Sequence, residues 1–126
     1  PQERRTIATT EAPGAIGPYS QAVQIGNMLI TSGQLGMDTK GVFPVSVEEQ
    51  TQRSLLNVKA ILESAGFTMN DVIKTTVFLQ DMNDFQKVNE VYATFFTEPY
   101  PARSAVQVAK LPKDGLVEIE VIAVKA

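Results

Sequence analysis

Residues 116–124, LVEIEVIAV, constrain the fold of this chain more than any other segment. A period of two puts Val117, Ile119, Val121 and Ala123 on one face, which reads as a β-strand lying on an apolar core. Glu118 and Glu120 then project together from the other face, about 6–7 Å apart along the strand. A carboxylate on an otherwise apolar strand is costly to bury unpaired, so at least one of the two is expected to meet a cation or line a wet cavity. A salt bridge is the commoner outcome, and acid–base catalysis is the other.

The rest of the chain supplies partners for this strand. Residues 71–80, DVIKTTVFLQ, are β-branched and aromatic with both faces partly apolar, as in the interior of a sheet. QAVQI at 21–25 and MLITS at 28–32 flank Gly26-Asn27 and read as a hairpin. Thr6–Thr9 adds an N-terminal strand, and residues 103–109 add another after the YPAR turn. Between strands the period lengthens. Ser46 and Glu49 form a capping-box signature ahead of an apolar stripe of Leu55, Val58, Ile61/Leu62 and Ala65, with Gly66 as the stop. Asp81 or Asn83 caps a second helix whose stripe is Phe85, Val88, Tyr92 and Phe95/Phe96, halted before Pro99.

The resulting order, β-β-β-α-β-α-β-β, predicts an α+β fold: a six-stranded sheet with both helices on one face. At 126 residues the chain is expected to form a single domain, 1–126, with no residues left over for a third layer. Self-association is the natural cover for the second sheet face.

Inventory excludes whole classes of chemistry. The chain has no cysteine and no histidine, which removes thiolate catalysis, disulfides, Cys/His zinc sites and Ser-His triads. A net charge of −3 with scattered basic residues argues against a nucleic-acid partner. No run reaches the ~18 apolar residues of a membrane helix. PQERRTIATT lacks the apolar core of a signal peptide, so the expected location is cytoplasmic.

Among the polar residues, Arg103 heads a strand directly after a proline-containing turn, between Ala102 and Ser104. Its guanidinium could pair with a structural carboxylate, the commoner fate, or grip a ligand carboxylate bidentately. Tyr19 follows Gly17-Pro18 in a stiffened loop and either packs as a lid or faces a cleft. Ser32-Gly33 ends a strand where backbone can approach a ligand, although an ordinary turn suffices. Asn89 lies at the polar edge of the second helix stripe. Lys110, Lys113 and Asp114 in and around LPKDG read as a solvated turn with no chemistry. GAIG lacks the helix and Lys-Ser/Thr of a phosphate loop.

Taken in order, GPYSQA at 17–22, ITSGQ at 30–34, NVKAILESAG at 57–66, KTTVFLQDMNDFQKVNEVY at 74–92, PARSAV at 101–106 and VEIEVIAV at 117–124 resemble the reactive-intermediate deaminase family, RidA or YjgF. The resemblance spans nearly the whole chain. It implies a chorismate-mutase-like fold, a homotrimer with clefts between subunits, and cofactor-free, metal-free hydrolysis of 2-imino acids and their enamine tautomers to 2-keto acids and ammonia. Residue by residue, it places the substrate-binding arginine at Arg103 and the catalytic glutamate at Glu118. It also puts the cleft contacts at Tyr19, Ser32, Gly33 and Asn89. One position departs: many members carry cysteine two residues beyond the arginine, and Ala105 stands there. A keto-acid-binding regulatory trimer is the alternative reading, with ribonuclease activity behind it.

Overall fold

The computed structural model describes residues 3–126. Its strands are β1 (Arg4–Ile7), β2 (Ala22–Ile25), β3 (Met28–Thr31), β4 (Gln34–Leu35), β5 (Val72–Leu79), β6 (Ala102–Gln107) and β7 (Val117–Val124), with helices α1 (Val47–Ser64) and α2 (Phe85–Tyr92). They form one sheet in the order β1-β2-β3-β7-β5-β6, while β4 also pairs with β7 beyond the end of β3. All neighbours are antiparallel except β5 and β6, which are parallel and joined through α2.

The alternation in β7 has the expected consequence. Val117, Ile119, Val121 and Ala123 are buried, whereas Glu118, Glu120 and Ile122 are only partly covered. Val77 and Leu79 of β5 extend the buried face, and α1 and α2 pack on it through Leu55, Val58, Ile61, Leu62, Val88 and Tyr92. Both helices therefore lie on one side of the sheet, in contact with each other. At roughly 1.5–3 kcal/mol for each large apolar side chain fully buried, this layer dominates the stability. On the opposite side Ile25, Met28, Ile30 and Val106 are all more than a third exposed.

The helix boundaries follow local chemistry. Ser46 caps α1, its Oγ accepting from Glu49 N at 3.1 Å and donating to Glu49 Oε1 at 3.1 Å. Gly66 ends the helix with φ +81°, and its N–H donates to Glu63 O. For α2, Asp81 Oδ1 accepts from Asn83 N at 2.9 Å, starting a short 3₁₀ turn that runs into the helix. The helix itself stops at Tyr92, well before Pro99. Residues 93–95 continue as turns, and Phe96 is buried from outside the helix.

Three strand readings need correction. The sheet has seven strands, because the two-residue β4 carries no hydrophobic period of its own. It is held instead by polar side chains on the inner face of α1. Ser54 Oγ donates to Gln34 O at 2.7 Å, and Asn57 Nδ2 donates to Leu35 O at 3.2 Å and Met37 O at 2.8 Å. Gly36 packs so closely on α1 that a Cβ there would lie 2.2 Å from Gln50 O. The first strand is Arg4–Ile7 rather than Thr6–Thr9. At the sheet edge the exposed arginines are tolerated, and Thr9 N donates to Gln21 Oε1 instead of joining the ladder. The strand expected at 103–109 is Ala102–Gln107. In the hairpin turn only Gly26 takes positive φ, and Asn27 is occupied in holding the C-terminal segment, exchanging backbone and side-chain hydrogen bonds with Lys125.

Candidate functional site

The predicted site residues fall into two groups on the chain, and the sheet separates them. The first group surrounds a cleft of about 600 Å³. Tyr19, Ser32, Gly33, Glu118 and Glu120 line it, together with Ile16 and Leu35. The cleft lies where β3 gives way to β4, so Glu118 faces both Leu35 of β4 and Phe78 of β5 in register.

Glu118 is the chemical centre of this cleft. Its carboxyl group is half-buried, and burial, with a smaller contribution from the Glu120 charge, pushes its pKa above the ordinary carboxylate value. Its position depends on Gly33, where a Cβ would stand 2.8 Å from Glu118 Cδ and 2.9 Å from Cγ. Absence of a side chain at Gly33 is thus what lets the carboxylate lie against the backbone. Ser32 is committed to structure: its Oγ donates to Ser20 O at 2.6 Å, and its N–H donates to Gln21 O. Buried Gln21 in turn donates from Nε2 to Thr9 O and Pro13 O, fixing the loop that forms one wall. Tyr19 stands half exposed above that loop.

The second group is Arg103 and Asn89. Arg103 Nη1 donates to Asn89 Oδ1 at 2.7 Å. Its guanidinium carbon lies 4.8 Å from the centre of the Tyr92 ring and 5.2 Å from that of Phe85. No carboxylate among the described residues lies within ion-pair distance of it. Phe85, Asn89 and Tyr92 recur at i, i+4 and i+7, hence on one face of α2. Tyr92 is itself fixed, its hydroxyl sharing a 2.8 Å hydrogen bond with buried Thr75, the residue paired with Arg103 across β5 and β6. Burial raises the Tyr92 pKa, which keeps the phenol neutral. Arg103 is therefore oriented by two rings and an amide, leaving donors of its fork unused and its charge unneutralised.

Register shows how the two groups relate. Arg103 pairs with Thr75, which points to the helix side. Glu118 pairs with Phe78 on the other side. Two strand spacings, roughly 10 Å, an offset of three residues along the strands, roughly another 10 Å, and opposite faces of the sheet separate them. The sequence reading missed Phe85 and Tyr92 as partners of Arg103. Their spacing with Asn89 was visible, but the docking of α2 on β6 was not. Lys113, which from sequence belongs to a solvated turn, is also among the residues that line the cleft. Among the described residues no group of three or more acidic side chains is placed to hold a metal ion, and no helix is long and apolar enough to cross a membrane.

The family model described as Endoribonuclease L-PSP matches residues 9–125. The chain is 56% identical over 125 residues to a 2-iminobutanoate/2-iminopropanoate deaminase of Escherichia coli K12, covering 96% of this chain and 98% of that one. It is 55% identical to the protein of the same description from Salmonella typhimurium LT2, with the same coverage. Among solved structures, Escherichia coli TdcF with bound serine superposes with a TM-score of 0.93 at 52% identity, covering 97% of this chain and 99% of that one. RidA from an Antarctic Psychrobacter superposes with a TM-score of 0.93 at 49% identity, covering 96% and 99%.

Proposed function

The chain belongs to the Endoribonuclease L-PSP family, the RidA/YjgF reactive-intermediate deaminases, and from that premise we propose that it hydrolyses 2-imino acids between Glu118 of one subunit and Arg103 of another. That it is a deaminase follows from its relatives; the division of labour is inferred from the geometry. The observation that carries it is the separation of a half-buried carboxyl group of raised pKa from an oriented, unpaired guanidinium on opposite faces of one sheet. Neither group completes a site alone. Self-association as a homotrimer covers the apolar sheet face and supplies each Glu118 cleft with a neighbour's Arg103.

In this site Arg103 grips the substrate carboxylate bidentately and fixes C2 over Glu118. The Glu118 carboxylate takes a proton from water as the water oxygen bonds to the iminium carbon and the C=N π pair moves to nitrogen, giving a carbinolamine. The same proton then passes from Glu118 to nitrogen, the C–N bond breaks as the carbonyl forms, and the hydroxyl proton goes to the Glu118 carboxylate and on to the departing ammonia, leaving a 2-keto acid and ammonium. A carboxyl group whose pKa lies above its ordinary value is suited to both transfers near neutral pH. An imine is already electrophilic, so water activation and positioning suffice. Tyr19 closes the cleft, Gly33 seats the carboxylate, Ser32 and Gln21 hold the wall, and Asn89 orients the arginine.

The serine bound to TdcF supports a second reading, capture of small carboxylates without turnover. Timing keto-acid release from imine generated in situ by a pyridoxal-phosphate-dependent dehydratase separates the two. The proposal requires release faster than in buffer, and an unchanged rate sinks it. Ribonuclease activity finds less support, given the net charge of −3 and the absence of histidine.

A further inference from the structure

Residues 112–115 contain a feature that the hydrolysis scheme leaves unused. Lys113 and Asp114 have φ of +56° and +57°, alone among the described non-glycine residues in taking positive φ. Lysine is poorly suited to that region, and the adjacent Gly115, which would suit it, has φ −60°. The loop is clamped into this shape. Leu111 is buried and its N–H donates to Gln80 Oε1 at 3.2 Å, while Leu116 N donates to Gln50 Oε1 at 2.9 Å. A Cβ on Gly115 would press on Leu35 Cδ2 at 3.0 Å.

The strained residue lines the Glu118 cleft. Lys113 is the single cation in a lining whose other charges are Glu118 and Glu120. It has no carboxylate within ion-pair distance among the described residues, and Asp114 is engaged with Lys110 at 3.5 Å. Backbone strain maintained at a cleft, presenting an unpaired charge of the sign the other groups lack, calls for a ligand to explain it.

We propose that Lys113 determines the specificity of the cleft for anionic ligands, its ammonium offsetting the two glutamates so that a carboxylate-bearing molecule is drawn in. The inference rests on the reading that the substrate is an imino acid, and it assigns capture to Lys113 and orientation to Arg103. Capture by an exposed charge acts on the encounter and is screened by salt. Lys113 therefore contributes to kcat/KM and leaves kcat alone.

The test uses Lys113→Asn, because asparagine tolerates positive φ and carries no charge. Lys110→Asn serves as the surface control. At low ionic strength Lys113→Asn is expected to lower kcat/KM for imine hydrolysis about five- to tenfold with kcat within about twofold, and the deficit should shrink in high salt. Its Tm should be no lower than the parent's, which separates lost capture from lost folding. Titration with 2-oxobutanoate provides a readout independent of turnover. The same variant should weaken its binding by a similar factor, while Lys110→Asn should not. If the parent hydrolyses imines and Lys113→Asn matches it in kcat/KM and keto-acid binding, the capture role is overturned and the deaminase reading stands. If the parent is inactive yet Lys113→Asn weakens 2-oxobutanoate binding, the hydrolysis scheme fails and Lys113 keeps its role. A parent that neither turns over imines nor binds the keto acid overturns both.

Discussion

The Glu118 cleft and the Arg103 bracket solve opposite problems. Glu118 is held by what is missing: no side chain at Gly33 and, among the described residues, no cation in ion-pair contact, while burial raises its pKa above the ordinary carboxylate value. Arg103 is held by what is present, two aromatic rings and an amide oxygen that orient the guanidinium without neutralising it. A proton-transfer group needs a pKa near the working pH. A carboxylate clamp needs a fixed, undiminished charge. One chain builds both environments but keeps them on opposite sides of its sheet.

The largest effect should come from the cleft. Glu118→Gln keeps the shape and removes the titrating proton, so kcat for imino-acid hydrolysis should fall about 10²–10⁴-fold in the dehydratase-coupled assay. A variant near parental rate would move the proton transfer elsewhere. Next in size is Arg103→Lys, which preserves charge while losing the fork and the stacking. A loss of about 10–100-fold in kcat/KM with little change in Tm is expected, and a loss confined to stability would make the bracket structural. Gly33→Ala should act through Glu118 alone. Its backbone is not in the left-handed region, but the new Cβ collides with the carboxyl group, so a kcat loss of about tenfold should accompany a crystallographically displaced Glu118 side chain.

The smallest effect is on stability and has a definite sign. Glu118 has its folded pKa above its unfolded value, so the native state binds the proton more tightly. Stability from this group is present at low pH and is lost as pH rises from the ordinary carboxylate value through the raised one. Thermal melts of Glu118→Gln should therefore lie above the parent at pH 8 and converge with it near pH 4. Equal melts at both pH values would mean the carboxyl group is not desolvated, weakening its contrast with Arg103.

Much of this was legible in the amino-acid order, and the gaps have physical causes. The period-two run at 117–124 announced both the central strand and the paired glutamates on its open side, because strand geometry is local. Ser46, Glu49 and Gly66 marked α1 for the same reason. Strand β4 was invisible, since its register comes from Ser54 and Asn57 some twenty residues away. The bracket around Arg103 depends on how α2 docks over β6, which no local pattern encodes. From sequence Lys113 is a solvated turn residue, because its left-handed backbone is imposed by anchors at Leu111 and Leu116 rather than by a glycine.

The central claim is that Glu118 and Arg103 meet only between subunits, and complementation tests it directly. Glu118→Ala and Arg103→Ala proteins, each inactive alone, are co-refolded in equal amounts and assayed for keto-acid release. If sites form between neighbours, about a quarter of them in randomly mixed trimers carry both parental residues, so roughly a quarter of parental activity should return. No recovery in verified mixed oligomers would contradict the account, placing both groups in a site built by one chain.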